Sequence, residues 1–200
     1  ESLYRDPITR LYNQQFHDLY TLQEVQAFMY QEHSFSILLI RIDNLLDINL
    51  DFGSEEGNVT LRNLVYVITQ QTHEHEQLFR LAGGVIAIHW GYIDQQQALE
   101  QANTLRESII DSEIWIVPIT VSMALYHAEE LPSERKDPEE LREIAIQTAL
   151  YRLKVAQKKG KNQLIHKTKL IGSSKSTYDI LLIDHPSLQR DLIKDMLTRN

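Results

Sequence analysis

Four groups of residues in this 200-residue chain are of types that could do chemistry. The first is Arg41-Ile42-Asp43, followed by Asn49 and Asn58: a fixed cation of the type that receives anionic groups, a carboxylate and two amides. Two readings of Arg41 stand. It is either a built-in cation that receives a phosphate, or a strand-end arginine paired with Asp43, two residues away on the same face. The second is preferred, because structural ion pairs outnumber ligand sites. Asn49 reads equally as a ligand contact or as a loop-capping asparagine, with the cap preferred. The second group, His73-Glu74-His75-Glu76, has metal-ligating residue types, but no further partner is identifiable and such a run before a strand is usually a solvated turn. The third, Lys158-Lys159-Lys161, reads as charge opposing the dipole at a helix end rather than as a nucleotide site. The fourth, Asp184-His185, ends an apolar run near the end of the sequence.

The elements that must carry these residues follow from period and punctuation. Asp6-Pro7 sets a turn. Phe16, Leu19, Tyr20, Val25, Phe28 and Met29 recur at helical spacing. Phe35 to Ile42 is a continuous apolar run, the pattern of a strand buried on both faces. Asn58 to Thr69 predicts a helix with Leu61, Leu64, Val65 and Ile68 inward. Gln77–Leu81 and Val85–Trp90 predict a hairpin turning at Gly83-Gly84, where positive φ is needed. Helix is expected from Gln95 to Ile110, and one or two strands between Glu113 and Tyr126, broken by Pro118. Pro138 suits the first turn of a helix reaching about Lys158, with Gly160 as its stop and a short strand Gln163–Ile165 beyond. Helices interleaved with a central hairpin predict an α+β sheet of ferredoxin-like or palm-like type. From His166 to Tyr178 the chain is rich in Lys, Ser and Thr and reads as a linker. Residues 179–200 then give a strand, Ile180 to Asp184, and an amphipathic helix from Leu188 to Leu197.

Composition removes several classes of function. The absence of cysteine rules out disulfides, thiolate metal sites and cysteine nucleophiles, and suits a reducing, cytoplasmic compartment. Net charge is −8, and residues 1–165 carry 14 Lys/Arg against 24 Asp/Glu. An acidic domain argues against nucleic acid as a partner, which needs clustered positive charge. No apolar run approaches a membrane span, and no signal-peptide pattern opens the sequence. A start at Glu1 without methionine is expected of a piece of a longer protein.

Five segments, in order, resemble the GGDEF (diguanylate cyclase) family. Asp6-Pro7-Ile8-Thr9-Arg10-Leu11-Tyr12-Asn13 is similar to its D-x-L-T-G-L-x-N opening, with Arg10 in place of glycine. Ile40 to Asp43, with Asn49, Gly53 and Gly57-Asn58, matches the spacing of D-x-D…N…G-H…G-D. Arg80-Leu81-Ala82-Gly83-Gly84-Val85-Ile86 stands where R-Y-G-G-D-E-F should be. Ile119-Thr120-Val121-Ser122 and Ala156 to Asn162 resemble the closing I-T-V-S and A-K-x-x-G-R-N segments. The resemblance covers about residues 3–165, and residues 179–200 resemble the start of a response-regulator receiver domain, with Asp184 matching a metal-binding acid and His185 replacing a second.

The resemblance implies a cytoplasmic bacterial signalling domain whose relatives join two GTP molecules into cyclic di-GMP with Mg²⁺, across a dimer. It also implies that the metal-binding acids fall at Arg41, Gly84 and Val85, none of which has a carboxylate, so no catalytic residue, metal or cofactor is expected. Vestigial nucleotide contacts would be Asn49, Asn58, Lys161 and Arg41. Leu46 and Gln157 stand where the family has lysines. The product-inhibition motif R-x-x-D would fall at His73 and Glu76, and its loss is expected, since histidine lacks the bidentate fork of arginine. The expected function is a non-catalytic module acting through protein or interdomain contacts, as a homodimer or paired with an active homologue. The alternative is an allosteric guanine-nucleotide sensor.

Overall fold

The structure, a computed structural model, describes residues 2–168 apart from Thr72, Arg135 and Lys136. The linker expected at 166–178 lies outside the described residues except for its first three, and the receiver-like start at 179–200 lies wholly outside them.

Asp6 opens the fold with the expected turn. Its carboxylate accepts hydrogen bonds from the main-chain N–H of Ile8 (3.1 Å) and Thr9 (2.6 Å), and from Thr9 Oγ1 (2.8 Å). Arg10 closes the turn at φ 64, a conformation that glycine adopts without strain. A two-residue strand, β1 (Tyr12–Asn13), follows, and Asn13 caps α1 (Gln14–Met29) by accepting from Phe16 N at 3.1 Å. Of the stripe its periodicity suggests, Val25 is buried and Phe16, Tyr20 and Phe28 pack against the core, while two residues depart from it. Leu19 and Met29 face water, while His17, Thr21, Glu24 and Val25 are buried. Each buried polar group has a partner. Thr21 donates to the His17 carbonyl, Glu24 meets His33 at 3.1 Å, and His17 Nε2 meets His89 Nε2 at 3.1 Å. Burial, with Glu24 beside it, pushes the Tyr20 phenol up to about 12.

β2 (Phe35–Ile42) is buried at every position except Arg41, as the unbroken apolar run predicts. Then comes an element absent from the sequence reading, α2 (Leu45–Phe52). Next is α3 (Ser54–Thr69), which begins four residues before the expected Asn58. The Gly53-Ser54 and Gly57 punctuation reads as loop. Gly57 is nonetheless helical, and glycine is needed there because the Asn49 side chain occupies the space a Cβ would take.

β3 (Glu76–Arg80) and β4 (Val85–Gly91) form the expected hairpin, with Gly83 at φ 69 and Gly84 at φ 82. α4 (Gln95–Asp111) starts at a capping box in which Asp94 and Gln97 satisfy each other's main-chain N–H. Of the stretch Glu113–Tyr126 expected as one or two strands, only β5 (Val121–His127) is strand. Residues 113–120 instead fold back, with Trp115 donating to the Ile109 carbonyl at 2.7 Å. α5 (Pro138–Lys158) has proline in its first turn and an Asp137 cap, and β6 (Leu164–Ile165) ends the sheet.

The sheet order is β1-β3-β4-β2-β5-β6. β2 lies between β4 and β5 and is antiparallel to both; only the edge pairs β1–β3 and β5–β6 are parallel. Alternate residues of β2 enter two cores. Leu38, Ile40 and Ile42 pack with α3 and α4 residues such as Leu64 and Leu105. Ile37 and Leu39 pack with α1 and α5 residues such as Val25 and Leu153. The fold is therefore the expected mixed α+β sheet flanked by helices. Arg152 of α5, only 4% exposed, ties the second layer down, donating to the Leu125 carbonyl (2.7 Å) and pairing with Glu130.

Candidate functional site

Arg41 is the penultimate residue of β2, and the register sets it opposite Val85 of β4 and Ser122 of β5. The hairpin turn at Gly83-Gly84 thus lies beside it. A Cβ added to Gly84 would lie 3.3 Å from Leu45 Cδ2, so α2 closes the same corner. Arg41, Gly84 and Val85, which the sequence places in three motif positions, are brought together.

Asp43 does not pair with Arg41, contrary to the preferred reading of the sequence. Its carboxylate accepts from Thr120 Oγ1 (2.7 Å), Ser122 Oγ (2.5 Å) and the main-chain N–H of Asn162 (2.9 Å). Its own N–H donates to the Thr120 carbonyl, and Lys161 Nζ donates to the Asp43 carbonyl at 3.3 Å. With the carboxylate turned to these partners, Arg41 has no ion pair among the described residues. Lys161 and Asn162 both adopt positive φ, 64 and 47, which turns the α5–β6 loop back onto the end of β2.

Asn49 is not a loop cap. It sits inside α2, where its carbonyl accepts from Gly53 N, and its side chain lies against Gly57. Its amide has no hydrogen-bond partner among the described residues. Asn58, on α3 next to Gly57, faces Glu55 at 3.5 Å. Arg41 and Lys161 thus meet at the end of β2, Lys161 from the short α5–β6 loop, while Asn49 and Asn58 lie on the adjoining α2 and α3.

His73 and Glu76 lie at the other end of the hairpin. Glu76 accepts from Trp90 Nε1 at 2.8 Å, and burial pushes its carboxyl above the ordinary value, partly offset by that bond. His73 stands edge-on to Trp90, and the ring of His75, at φ 62, lies tilted against Tyr92. Among the described residues, no three of His, Asp and Glu converge where they could hold a metal ion.

Two features escaped the sequence reading. One is the anchoring of Asp43, signalled only by hydroxyls at alternate positions, Thr120 and Ser122, in a neighbouring strand segment. The other is the outward face of α2. Leu46 is 68% and Leu50 74% exposed, and Phe52 is half exposed.

A sheet of this order, with a glycine hairpin joining β3 to β4 and a short helix closing the corner beside it, defines the class of GGDEF-type nucleotidyl-cyclase folds. The family model for the GGDEF domain of diguanylate cyclases matches residues 3–163, and the chain belongs to that family. It is similar to the probable diguanylate cyclase DgcT of Escherichia coli, 24% identical over 169 residues, which span 81% of this chain and 35% of that protein. The chain thus covers about a third of the length of this curated relative. In fold it is similar to the GGDEF domain of FimX from Pseudomonas aeruginosa, with TM-score 0.70, 17% identity, and coverage of 82% and 99% of the two chains. It is likewise similar to diguanylate cyclase SiaD of the same organism, solved in complex with its activator SiaC, with TM-score 0.70, 16% identity, and coverage of 84% and 63%. Among the described residues no helix is long and apolar enough to cross a membrane.

Proposed function

We propose that this GGDEF domain makes no cyclic di-GMP and acts as a regulatory module through contacts with protein partners or with neighbouring domains of its own chain. One observation carries the reading. The corner where the family would hold Mg²⁺ and GTP is formed by Arg41, Gly84 and Val85, and none of them offers a carboxylate. Divalent-ion phosphoryl transfer needs oxygen ligands with lone pairs, and a guanidinium presents only donors. Asp43, two residues beyond Arg41, is already engaged by three donors. These residues do not fit a magnesium ion, so no catalytic step is routed through one. That a GGDEF protein can take a protein partner is illustrated by SiaD with SiaC. The reading includes a cytoplasmic setting, a homodimer or a pairing with an active homologue, a GGDEF unit at 1–165, a linker at 166–178 and a receiver-like start at 179–200.

The test is incubation with GTP and Mg²⁺ or Mn²⁺, followed by chromatography for cyclic di-GMP. No product is expected above the level of a boiled control. Turnover that disappears when Arg41 is changed would sink the proposal.

A second reading is a guanine-nucleotide sensor without cyclase activity. Asn49, with its unpartnered amide, and Lys161, at the end of β2, favour it. Calorimetry with GTP, GDP and cyclic di-GMP separates the two: saturable binding weakened by Asn49→Ala supports the sensor.

A further inference from the structure

α2 is held to the domain by few side chains. Ile48 is buried, and Leu45 is partly buried against the core beside Gly84. Helical spacing places Leu46 and Leu50 one turn apart on a shared exposed face, with the exposed Asp47 and Asp51 one turn apart along its flank. Among the described residues nothing covers these two leucines, and both stand in water. Two exposed leucines one turn apart on a helix form a contiguous apolar strip rather than scattered surface residues.

The charges around the patch say what would cover it. From Ile42 to Leu61 the chain has five acids and no Lys, Arg or His. Asp43 is consumed internally and Glu55 pairs with Arg62 at 2.9 Å. Asp47, Asp51 and Glu56 have no ion pair among the described residues. A second copy would set this acidic border against itself, and an anionic lipid surface would be repelled in the same way. An apolar strip bordered by unpaired carboxylates complements a helix with leucine-like residues on one side and Lys or Arg beside them.

We infer that the exposed face of α2, centred on Leu46 and Leu50, is the docking site for a basic amphipathic helix of a partner protein. This rests on the non-catalytic reading above and names the surface through which such a module would act. The corner that closes over Gly84 would then present an apolar ridge in place of a substrate-binding cation.

The test uses the whole 200-residue chain and a fluorescent 18-residue helical peptide of leucine and lysine, with its leucines at i, i+3, i+4 and i+7. A scrambled peptide of the same composition is the control. Anisotropy titration should give saturable one-to-one binding to the patterned peptide, at least tenfold tighter than to the scrambled one. Leu46→Ser and Leu50→Ser should each weaken it about tenfold, the loss expected for one leucine no longer buried. Asp47→Asn with Asp51→Asn should weaken it and reduce its salt dependence. Leu3→Ser, an exposed leucine elsewhere, should leave it unchanged. All these positions are exposed, and circular dichroism melts check that each variant folds. Equal affinity for the two peptides, or unaltered binding by the Leu46→Ser/Leu50→Ser protein, overturns the inference. So does a Leu46-dependent dimer in sedimentation velocity, which would make a second copy the occupant. Cyclic di-GMP formation by the same preparation would sink the non-catalytic reading instead, so the two failures are distinguishable.

Discussion

Asp43 receives hydrogen bonds from two hydroxyls and a main-chain N–H, and these join the end of β2 to residues 77, 79 and 119 positions further along. Bonds to a charged acceptor contribute about 1.5–3 kcal/mol each when the alternative leaves donors unpaired, although the set is not additive. Asp43→Ala is expected to cost about 3 kcal/mol in urea unfolding and to lower Tm by roughly 6–12 °C. An unchanged midpoint would show that the cluster is not a structural tie. The sequence could not display this arrangement. Asp43 has a nearby opposite charge in Arg41, and local pairing is the reading that adjacency favours; the true partners are distant in the chain and uncharged. Arg41, Gly84 and Val85 were legible as a group only through the family motifs, since the β2–β4 pairing that joins them is long-range.

Gly57 shows how two helices fix each other's sequence. A Cβ on it would fall 1.8 Å from Asn49 Oδ1, so α3 can lie against α2 only with glycine there or with Asn49 turned away. Gly57→Ala is expected to lose about 1 kcal/mol, because the clash outweighs the roughly 1 kcal/mol that alanine gains in helix propensity. Adding Asn49→Ala should recover that loss, and a double-mutant cycle by chemical denaturation reads the coupling. Strictly additive effects would show that the contact is unimportant. This pair also explains why α2 and the start of α3 escaped the sequence reading. Gly53-Ser54 and Gly57 are loop-like in composition, and only the packing of Asn49 shows why a helix carries glycine at position 57. Elements with self-contained signals fared better. β2 matched at both ends, because a strand buried on both faces is apolar throughout. α5 matched because Pro138 and Gly160 mark its limits. In α1 the periodicity located the helix but chose Leu19 and Met29 as inward residues, since the polar side chains that are buried find their partners only in the tertiary structure.

Between α1 and the sheet, the whole domain carries a pH dependence. His89 is fully buried beside His17, and burial, then the neighbouring imidazole, holds its pKa well below 6.5. In the unfolded chain it titrates near 6.5, so below that pH the unfolded state binds the extra proton. Stability is therefore full above about pH 6.5 and is lost as pH falls, with a slope from this residue approaching about 1.4 kcal/mol per pH unit. Glu76 works in the opposite direction and lower, since its raised folded pKa removes stability as pH rises past about 4.5. Melting curves from pH 7.5 to 5 should show Tm falling, and His89→Gln should flatten that fall. An identical profile in the variant would assign the dependence elsewhere. The tie at Asp43 has a kinetic counterpart. The Asn162 amide is bonded across a loop of 119 positions, so its exchange with deuterated solvent is slowed only once nearly the entire domain has closed on itself. A single labelled nitrogen at that position would thus act as a clock for completion of folding, while amides in the hairpin would report only on their own corner.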